Sequence, residues 1–300
     1  MTETTAETIR IVEVGPRDGL QNETAIIPTA TKVSLIERLA DAGHCCIEAT
    51  SFVSPKWIPQ LADASEVFSA IEKRPGVRYQ VLVPNLQGLE RALAVGVREI
   101  AVFTAASEAF SQHNIHASID QSIERFRPLL DRLQGTGVNV RGYVSTVLGC
   151  PYQGAVPVAD VVRVASALQA LGCYEISLGD TIGVGTPRQA RALLCAVAEV
   201  VPMAQLAVHF HDTRGQALAN VYACIEAGVR VVDASVAGLG GCPYAAGASG
   251  NLASEDLVYM LHGCGYRTGV DLDRLVQVGR WISTELHREN GAKLGRAWKP

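Results

Sequence analysis

A repeated unit of helix, glycine and strand constrains the fold of this 300-residue chain most strongly. In each copy an amphipathic helical pattern ends at a glycine, and a short apolar segment follows. Glycine is favoured just after a helix because the chain there needs a positive φ, and segments that are apolar on both faces are typical of buried parallel strands. Four such glycines precede a β-branched aliphatic residue by four positions: Gly43 before Ile47, Gly96 before Ile100, Gly172 before Ile176, and Gly228 before Val232.

Apolar segments of this kind predict eight strands, each followed by helical periodicity. Parallel strands need crossover connections, which are usually helices, and no linker or low-complexity segment interrupts the series. A doubly wound sheet would need a Gly-rich phosphate loop after the first strand, and VEVGPRDG is not one. We therefore predict an α/β protein: a (β/α)₈ TIM barrel that forms a single domain over residues 1–300, with a core of about 9–290 and a short C-terminal extension. The predicted strands are Ile9–Val14, Cys45–Ala49, Tyr79–Val83, Glu99–Phe103, Asn139–Ser145, Tyr174–Leu178, Leu206–Phe210 and Val231–Val236.

Composition excludes several classes of function. The net charge is −4 and no run of Lys and Arg occurs, which argues against a nucleic-acid partner. No stretch of about 18 apolar residues is present, so we expect no membrane association. The first ten residues are polar and acidic and predict a cytoplasmic protein. Eight cysteines without a Cys-x-x-Cys motif fit neither a disulfide framework nor a thiolate zinc site.

Polar side chains are concentrated where the predicted strands end. In a (β/α)₈ barrel the chemistry lies at the carboxyl ends of the strands and in the loops that follow them. The sequence therefore predicts one site at this end of the barrel. Its candidate residues, in chain order, are Arg17, Asp18, Glu48, Asp180, His209, His211, Cys242 and Asn251.

The pair His209 and His211 indicates a divalent metal. Residues two apart on a strand point to the same face, so both imidazoles can supply adjacent coordination positions. The alternative is a pair of hydrogen-bonded core histidines. Together with Asp18 and the amide oxygen of Asn251 they form a set of two nitrogens and two oxygens. This set suits Mg²⁺ or Mn²⁺ with water and substrate oxygens, although ligand type alone also permits Zn²⁺.

The remaining candidates each have a catalytic and a structural interpretation. Arg17 can face a substrate oxygen or form a surface ion pair with Asp18. Glu48 ends an apolar strand and needs a partner: it is a structural acid that pairs with an arginine, or it holds the guanidinium of Arg17 in place for catalysis. Asp180 is either an active-site acid or a turn or cap residue of LGDTIG. Cys242 lies in a Gly-rich loop, where a thiol above a metal site can deliver or accept a proton.

The segments VEVGPRDGLQNE, IEATSFVSPKWIPQ, AVHFHDTRGQALAN and above all GLGGCPYA resemble the 3-hydroxy-3-methylglutaryl-CoA lyases, over roughly residues 9 to 290. The resemblance implies cleavage of 3-hydroxy-3-methylglutaryl-CoA to acetyl-CoA and acetoacetate by metal-assisted retro-Claisen chemistry. It also implies an acyl-CoA substrate, a divalent cation as Mg²⁺ or Mn²⁺ without an organic cofactor, a homodimer, and a place in leucine degradation and ketone-body metabolism.

The resemblance also implies roles for individual residues. Arg17 matches the arginine that meets the substrate carbonyl, and Glu48 matches the acid that supports it. Cys242 matches the catalytic cysteine, and Asp180 matches an active-site acid. The positions that match the family's cation ligands are Asp18, His209, His211 and Asn251.

Some alternatives stay open at this point. The general base is Asp18 or His209. The enzyme could act on a longer-chain 3-hydroxyglutaryl-CoA, or it could be a condensing synthase of the same barrel family that joins an acyl-CoA to an oxo acid. A metal-bound barrel without catalytic activity is the alternative from a different class.

Overall fold

A computed structural model describes residues 7–241 and 250–299 of the chain and shows a closed barrel of eight parallel strands. Each strand pairs with the next one along the chain, and β8 closes the barrel by pairing with β1. All eight predicted strands are present, so the predicted α/β fold, a (β/α)₈ TIM barrel, is confirmed. The strands are β1 Arg10–Glu13, β2 Cys46–Ser51, β3 Arg78–Leu82, β4 Glu99–Ala105, β5 Asn139–Ser145, β6 Glu175–Asp180, β7 Leu206–Phe210 and β8 Val231–Ala234.

Helices connect the strands and surround the barrel. No helix among the described residues is long and apolar enough to cross a lipid bilayer. The α-helices are α1 Thr29–Asp41, α2 Ala64–Ala70, α3 Leu86–Ala94, α4 Glu108–Ile115, α5 Ile119–Glu124, α6 Arg127–Leu133, α7 Val158–Ala170, α8 Pro187–Ala198, α9 Ala217–Glu226, α10 Ser254–Gly263, α11 Leu272–Glu285 and α12 Lys293–Ala297.

The glycines of the repeated unit adopt the conformation that the sequence pattern predicts. Gly43, Gly96, Gly172 and Gly228 have φ angles of +99°, +80°, +97° and +116°. L-residues with a side chain rarely adopt these angles, whereas glycine does so without a steric penalty. Each glycine therefore ends its helix sharply and directs the chain into the next strand.

The barrel interior is unusually polar. The largest fully buried side chain is that of Arg141 on β5, which donates to Asp233 on β8 through Nη2 to Oδ1 at 2.7 Å and Nη1 to Oδ2 at 3.1 Å. Because β5 and β8 are not neighbours, this ion pair crosses the inside of the barrel. Arg141 Nε also donates to Glu175 Oε1 on β6 at 2.7 Å. Buried charges are tolerated only when they are paired, so the three side chains depend on one another.

The chain after the last strand packs against the barrel through a buried acid. Glu255 in α10 accepts the backbone N–H of Ala237, which follows β8, with oxygen distances of 2.9 and 3.1 Å. A Cβ atom at Gly279 in α11 would lie 2.0 Å from Glu255 Oε1, so only glycine allows α11 to approach this closely. Burial raises the pKa of Glu255 to about 8, although the N–H of Ala237 opposes the shift.

We expect Glu255→Gln to become more stable relative to the wild type as the pH rises from 5 to 8. The unfolded carboxyl loses its proton near its ordinary pKa, whereas the folded one keeps it to about pH 8. Between these values the folded state holds the extra proton, so the wild type loses about 1.4 kcal/mol of unfolding free energy per pH unit. Glutamine keeps a neutral side chain and removes this loss.

Urea denaturation of both proteins across this pH range measures the difference in unfolding free energy. Only the difference is informative, because other buried groups titrate in the same range. The matched control is Glu199→Gln, since Glu199 is exposed and its substitution should show no such trend. A difference between Glu255→Gln and wild type that is the same at pH 5 and pH 8 would contradict the prediction.

Candidate metal and substrate site

A tight turn after β1 brings Arg17 and Asp18 to the mouth of the barrel. Residues Gly15–Gly19 form a single π-helical turn around the carbonyl of Val14, which accepts the N–H of Asp18 at 2.8 Å. The flanking glycines are required by packing: a Cβ at Gly15 would lie 2.7 Å from Glu13 Oε1, and one at Gly19 would lie 2.6 Å from Leu239 Cβ. The turn is therefore pressed against the loop that follows β8.

The side chain of Glu13 joins this turn to the segment after β8 and to the start of α10. Its Oε1 accepts the N–H groups of Gly15 and Val236, both at 2.9 Å, and its Oε2 accepts the hydroxyl of Ser254 at 2.6 Å. Val236 follows β8 and Ser254 begins α10. One buried carboxyl group thus connects the loops that carry Asp18 and Asn251, which are far apart in the sequence.

The side chains of Asp18, His209 and His211 converge. Each offers one ligand atom, and the three atoms lie within 4.8 Å of one another. Asp18 Oδ2 is 3.9 Å from His209 Nε2, and the two imidazole rings have centroids 5.4 Å apart. Both imidazoles lie together at the end of β7, and Asp18 reaches them from the turn after β1, which is separated from β7 by β8 alone.

Asn251 reaches the same place through its amide nitrogen. Asn251 Nδ2 donates to Asp18 Oδ2 at 2.8 Å and to the carbonyl of Leu239 at 3.2 Å. Its backbone forms an isolated bridge with His211. The structure therefore places Asn251 beside two of the three converging side chains, while its role as a cation ligand stays a prediction.

Arg17 is held rigidly beside these groups. Its Nε donates to Glu48 Oε2 at 2.7 Å, its Nη2 lies 2.7 Å from the same oxygen, and its Nη1 donates to Asp18 Oδ1 at 2.6 Å. Only 7% of Arg17 is exposed, so its guanidinium is not a surface ion-pair partner. These contacts use three of the five N–H donors of the guanidinium, and two remain for a bound oxygen.

The electrostatics of Asp18 and His211 suit a cation. Burial alone would raise the pKa of Asp18, but Arg17 and the imidazoles outweigh it and lower the pKa to about 2. Burial lowers the pKa of His211 to about 4, and His209 adds to the shift. An ionised carboxylate and a neutral imidazole are the states that bind a metal.

A buried nitrogen that has no hydrogen-bond partner among the described residues tests whether a divalent cation fits between these side chains. His211 Nδ1 is buried, and among the described residues it has no hydrogen-bond partner. Leaving a buried polar atom unsatisfied costs about 1–3 kcal/mol unless a ligand or water satisfies it. With an ionised carboxylate and a second imidazole within reach, the residues present fit a divalent cation held by Asp18, His209 and His211.

Two predicted site residues require separate comment. Asp180 is fully buried, and its carboxylate accepts the N–H groups of Val184 at 3.2 Å and Gly185 at 2.8 Å in its own loop. These bonds shape the loop, and a catalytic role for Asp180 stays a prediction. Cys242 lies outside the described residues, so its predicted role also stays untested.

The sequence analysis did not identify Asp233, Arg141 or Tyr143. Asp233 Oδ2 lies 3.3 Å from His209 Nδ1, on the side of the ring away from Asp18. The Tyr143 hydroxyl accepts from Arg141 Nη1 at 2.8 Å, and the Tyr143 ring lies 5.8 Å from the guanidinium of Arg17. The available signal was a single charged residue inside an otherwise apolar strand, as in VVDAS for Asp233 and NVRGYVS for Arg141.

Comparison with known proteins places the chain among enzymes with this architecture. It is 56% identical over 289 residues to the hydroxymethylglutaryl-CoA lyase, mitochondrial, of Bos taurus, covering 96% of this chain and 89% of that protein. It is 57% identical over 289 residues to the 3-hydroxy-3-isohexenylglutaryl-CoA/hydroxy-methylglutaryl-CoA lyase of Pseudomonas aeruginosa, covering 96% of both. A solved structure from Acinetobacter baumannii, an HMG-CoA lyase in complex with coenzyme A and 3-methylmalate, superposes with a TM-score of 0.94 at 39% identity and covers all of this chain and 97% of that one.

The match to a protein family is equally extensive. Residues 8–282 match the HMGL-like family, which is more than nine-tenths of the chain. Sequence identity above one half over nearly the full length of these relatives agrees with that match. The chain therefore belongs to the HMGL-like family.

Proposed function

We propose that this protein is a lyase that cleaves 3-hydroxy-3-methylglutaryl-CoA to acetyl-CoA and acetoacetate. The observation that carries the proposal is the placement of the buried guanidinium of Arg17 against Asp18, where it adjoins the candidate cation ligands His209 and His211. The relatives that share more than half of the sequence are named as lyases of this substrate. They do not favour the condensing synthase, the non-catalytic barrel or an enzyme restricted to a longer-chain substrate.

The reaction needs a proton removed, a carbon–carbon bond broken and a carbanion stabilised. A bound divalent cation would polarise the oxygens of the substrate and lower the pKa of its tertiary hydroxyl. Asp18, His209, His211 and Asn251 are the residues that would hold this cation. Their contacts with one another keep them in place before the substrate arrives.

The chain's own residues then account for the proton and the charge. Asp18 or His209 takes the proton of the tertiary hydroxyl, the O–H electrons form the ketone of acetoacetate, and the carbon–carbon bond breaks. Its electron pair becomes the enolate of acetyl-CoA. The two N–H groups of Arg17 that its carboxylate partners leave unused can donate to the enolate oxygen, as oxyanion-binding groups do. Cys242 then delivers a proton to the enolate carbon.

The fixed position of Arg17 suits its guanidinium to stabilising negative charge on the substrate. Glu48 is fully buried, and it also accepts Gln80 Nε2 at 3.3 Å through its other oxygen. Burial would lower the pKa of Arg17, but Glu48 and Asp18 outweigh it and raise the pKa above its ordinary value. A permanently charged and fixed guanidinium needs no reorganisation when negative charge develops on the substrate.

Three finer parts of the proposal concern the cation, the assembly and the location of the protein. Mg²⁺ or Mn²⁺ is proposed because the candidate ligands include oxygens and leave room for water and substrate. A homodimer is proposed from the family resemblance, and a cytoplasmic location is proposed from the sequence composition. An acyl-CoA substrate is also consistent with the coenzyme A bound to the structural relative from Acinetobacter baumannii.

Purified protein should release acetoacetate from 3-hydroxy-3-methylglutaryl-CoA only with a divalent cation. Treatment with a chelator should abolish the release because the polarisation of the substrate is lost, and Mg²⁺ or Mn²⁺ should restore it. A coupled assay that reduces acetoacetate measures both states. Release that persists unchanged after exhaustive chelation would refute the metal-dependent mechanism, and absence of release in every condition would refute the proposed substrate.

Arg17→Met should lower kcat by about 10²- to 10³-fold, because one group that stabilises the developing oxyanion is removed. The exposed Arg132, which pairs with Glu90 on the surface, supplies the matched control Arg132→Met. That control should retain wild-type kcat. Steady-state kinetics of the three proteins decide the outcome, and near wild-type turnover of Arg17→Met would remove this residue from the mechanism.

Cys242→Ala should lower turnover by about 10²- to 10⁴-fold and leave substrate affinity nearly unchanged, as expected for loss of a positioned acid. The matched control is Cys264→Ala, since Cys264 is exposed beyond the end of α10. Single-turnover kinetics and equilibrium binding of the substrate separate the two effects. An equal loss of turnover and affinity would indicate that Cys242 only shapes its loop.

A further inference from the structure

The imidazole of His209 is held from behind by a single carboxylate. His209 and Asp233 are register partners on the adjacent strands β7 and β8, so their side chains leave the sheet on the same face. His209 Nδ1 lies 3.3 Å from Asp233 Oδ2, and Nε2 on the other side of the ring faces Asp18. The ring therefore lies between two acids: Nδ1 faces Asp233 and Nε2 faces Asp18.

Asp233 cannot turn away from this position. Both of its oxygens accept from Arg141, and Oδ2 also accepts the hydroxyl of Ser177 at 2.8 Å. Arg141 is permanently charged, and its two hydrogen bonds, one to each oxygen, hold Asp233 as the carboxylate. An ionised carboxylate can only accept hydrogen bonds, so the nitrogen that meets it must carry a proton.

We propose that Asp233 is a positioning residue that fixes His209 as the Nδ1–H tautomer, leaving the lone pair of Nε2 for the divalent cation. The inference rests on the proposed metal-dependent function and adds to it a residue that orients a ligand. Metal-bound histidines commonly donate their second nitrogen to a carboxylate, which fixes the ring and increases its basicity. While Nε2 is a ligand, a ring held in this way has no free nitrogen to accept the substrate's proton, so of the two proposed general bases this inference favours Asp18 over His209.

The surrounding ion-pair network supplies a matched comparison. Glu175 binds the same guanidinium as Asp233, through Arg141 Nε, and is equally buried. Among the described residues its other partner is Arg10, at the start of β1. Glu175 is thus one step further from His209. Glu175→Gln and Asp233→Asn remove the same charge from the same arginine, but only Asp233→Asn disturbs the contact with the imidazole.

The first test reads the tautomer of the wild-type protein without metal. Protein labelled with ¹⁵N at histidine is studied by long-range ¹H–¹⁵N correlation NMR at pH 9, and His209 is assigned by the signals lost in His209→Asn. We expect a protonated, pyrrole-type Nδ1 and a pyridine-type Nε2. A pyrrole-type Nε2 would overturn the proposal. This measurement needs no variant at Asp233 and no catalytic turnover.

The second test measures binding of Mn²⁺ alone, from the electron paramagnetic resonance signal of the free ion. Asp233→Asn should bind Mn²⁺ about 10- to 100-fold more weakly than wild type, as expected when such a partner is lost. Glu175→Gln should bind it nearly as tightly as wild type. Equal weakening in both variants would show that the network is only structural and would overturn the proposal.

The outcomes also separate this inference from the proposed function. Wild-type protein that has the Nδ1–H form but binds no Mn²⁺ would refute the metal-dependent function. Wild-type protein that binds Mn²⁺ and has the other tautomer would refute the role of Asp233 alone. Circular dichroism confirms folding of the two variants, and the wild-type spectrum still decides the tautomer if Asp233→Asn does not fold.

Discussion

The ion pair between Arg141 and Asp233 is the interaction on which the site depends. It joins β5 to β8 through the interior of the barrel, where aliphatic side chains would ordinarily fill the space. Neither charge could be buried alone, because the cost of removing an ion from water is recovered only by a well-placed partner. Asp233, held by Arg141, contacts the imidazole of His209. An ion pair inside the barrel therefore holds a side chain of the candidate site at the barrel mouth.

A second buried acid, Glu13, holds the loops of the candidate site together. Glu13 accepts hydrogen bonds from the turn after β1, from the segment after β8 and from the start of α10. These three segments carry or flank Arg17, Asp18 and Asn251. The candidate site residues therefore lie on loops whose backbone is fixed by the side chain of Glu13, so little conformational entropy would be lost when a ligand binds.

Much of the architecture followed from local patterns. The four glycines required a positive φ after each helix, and the spacing between the glycine and the next strand repeated, so the eight strands could be counted and the barrel predicted. The pair His209 and His211 followed from the two-residue period of a strand. The network of Arg141, Asp233 and Glu175 was not predicted, because a charged residue in an apolar strand does not identify its partner on a strand that is distant in the sequence.

The sequence by itself determined the order of the elements, the family, and which side chains end the strands, because these depend on short-range periodicity and on motifs such as GLGGCPYA. Only the tertiary structure decided that Arg17 is buried between Glu48 and Asp18 and that Asp180 bonds its own loop. It also decided that His209 lies between two acids. The approach of His209 to Asp18 requires barrel closure, which brings β1 beside β8. The contacts of Arg17 with Glu48 and of His209 with Asp233 join residues 31 and 24 positions apart in the chain, and no local pattern encodes such contacts.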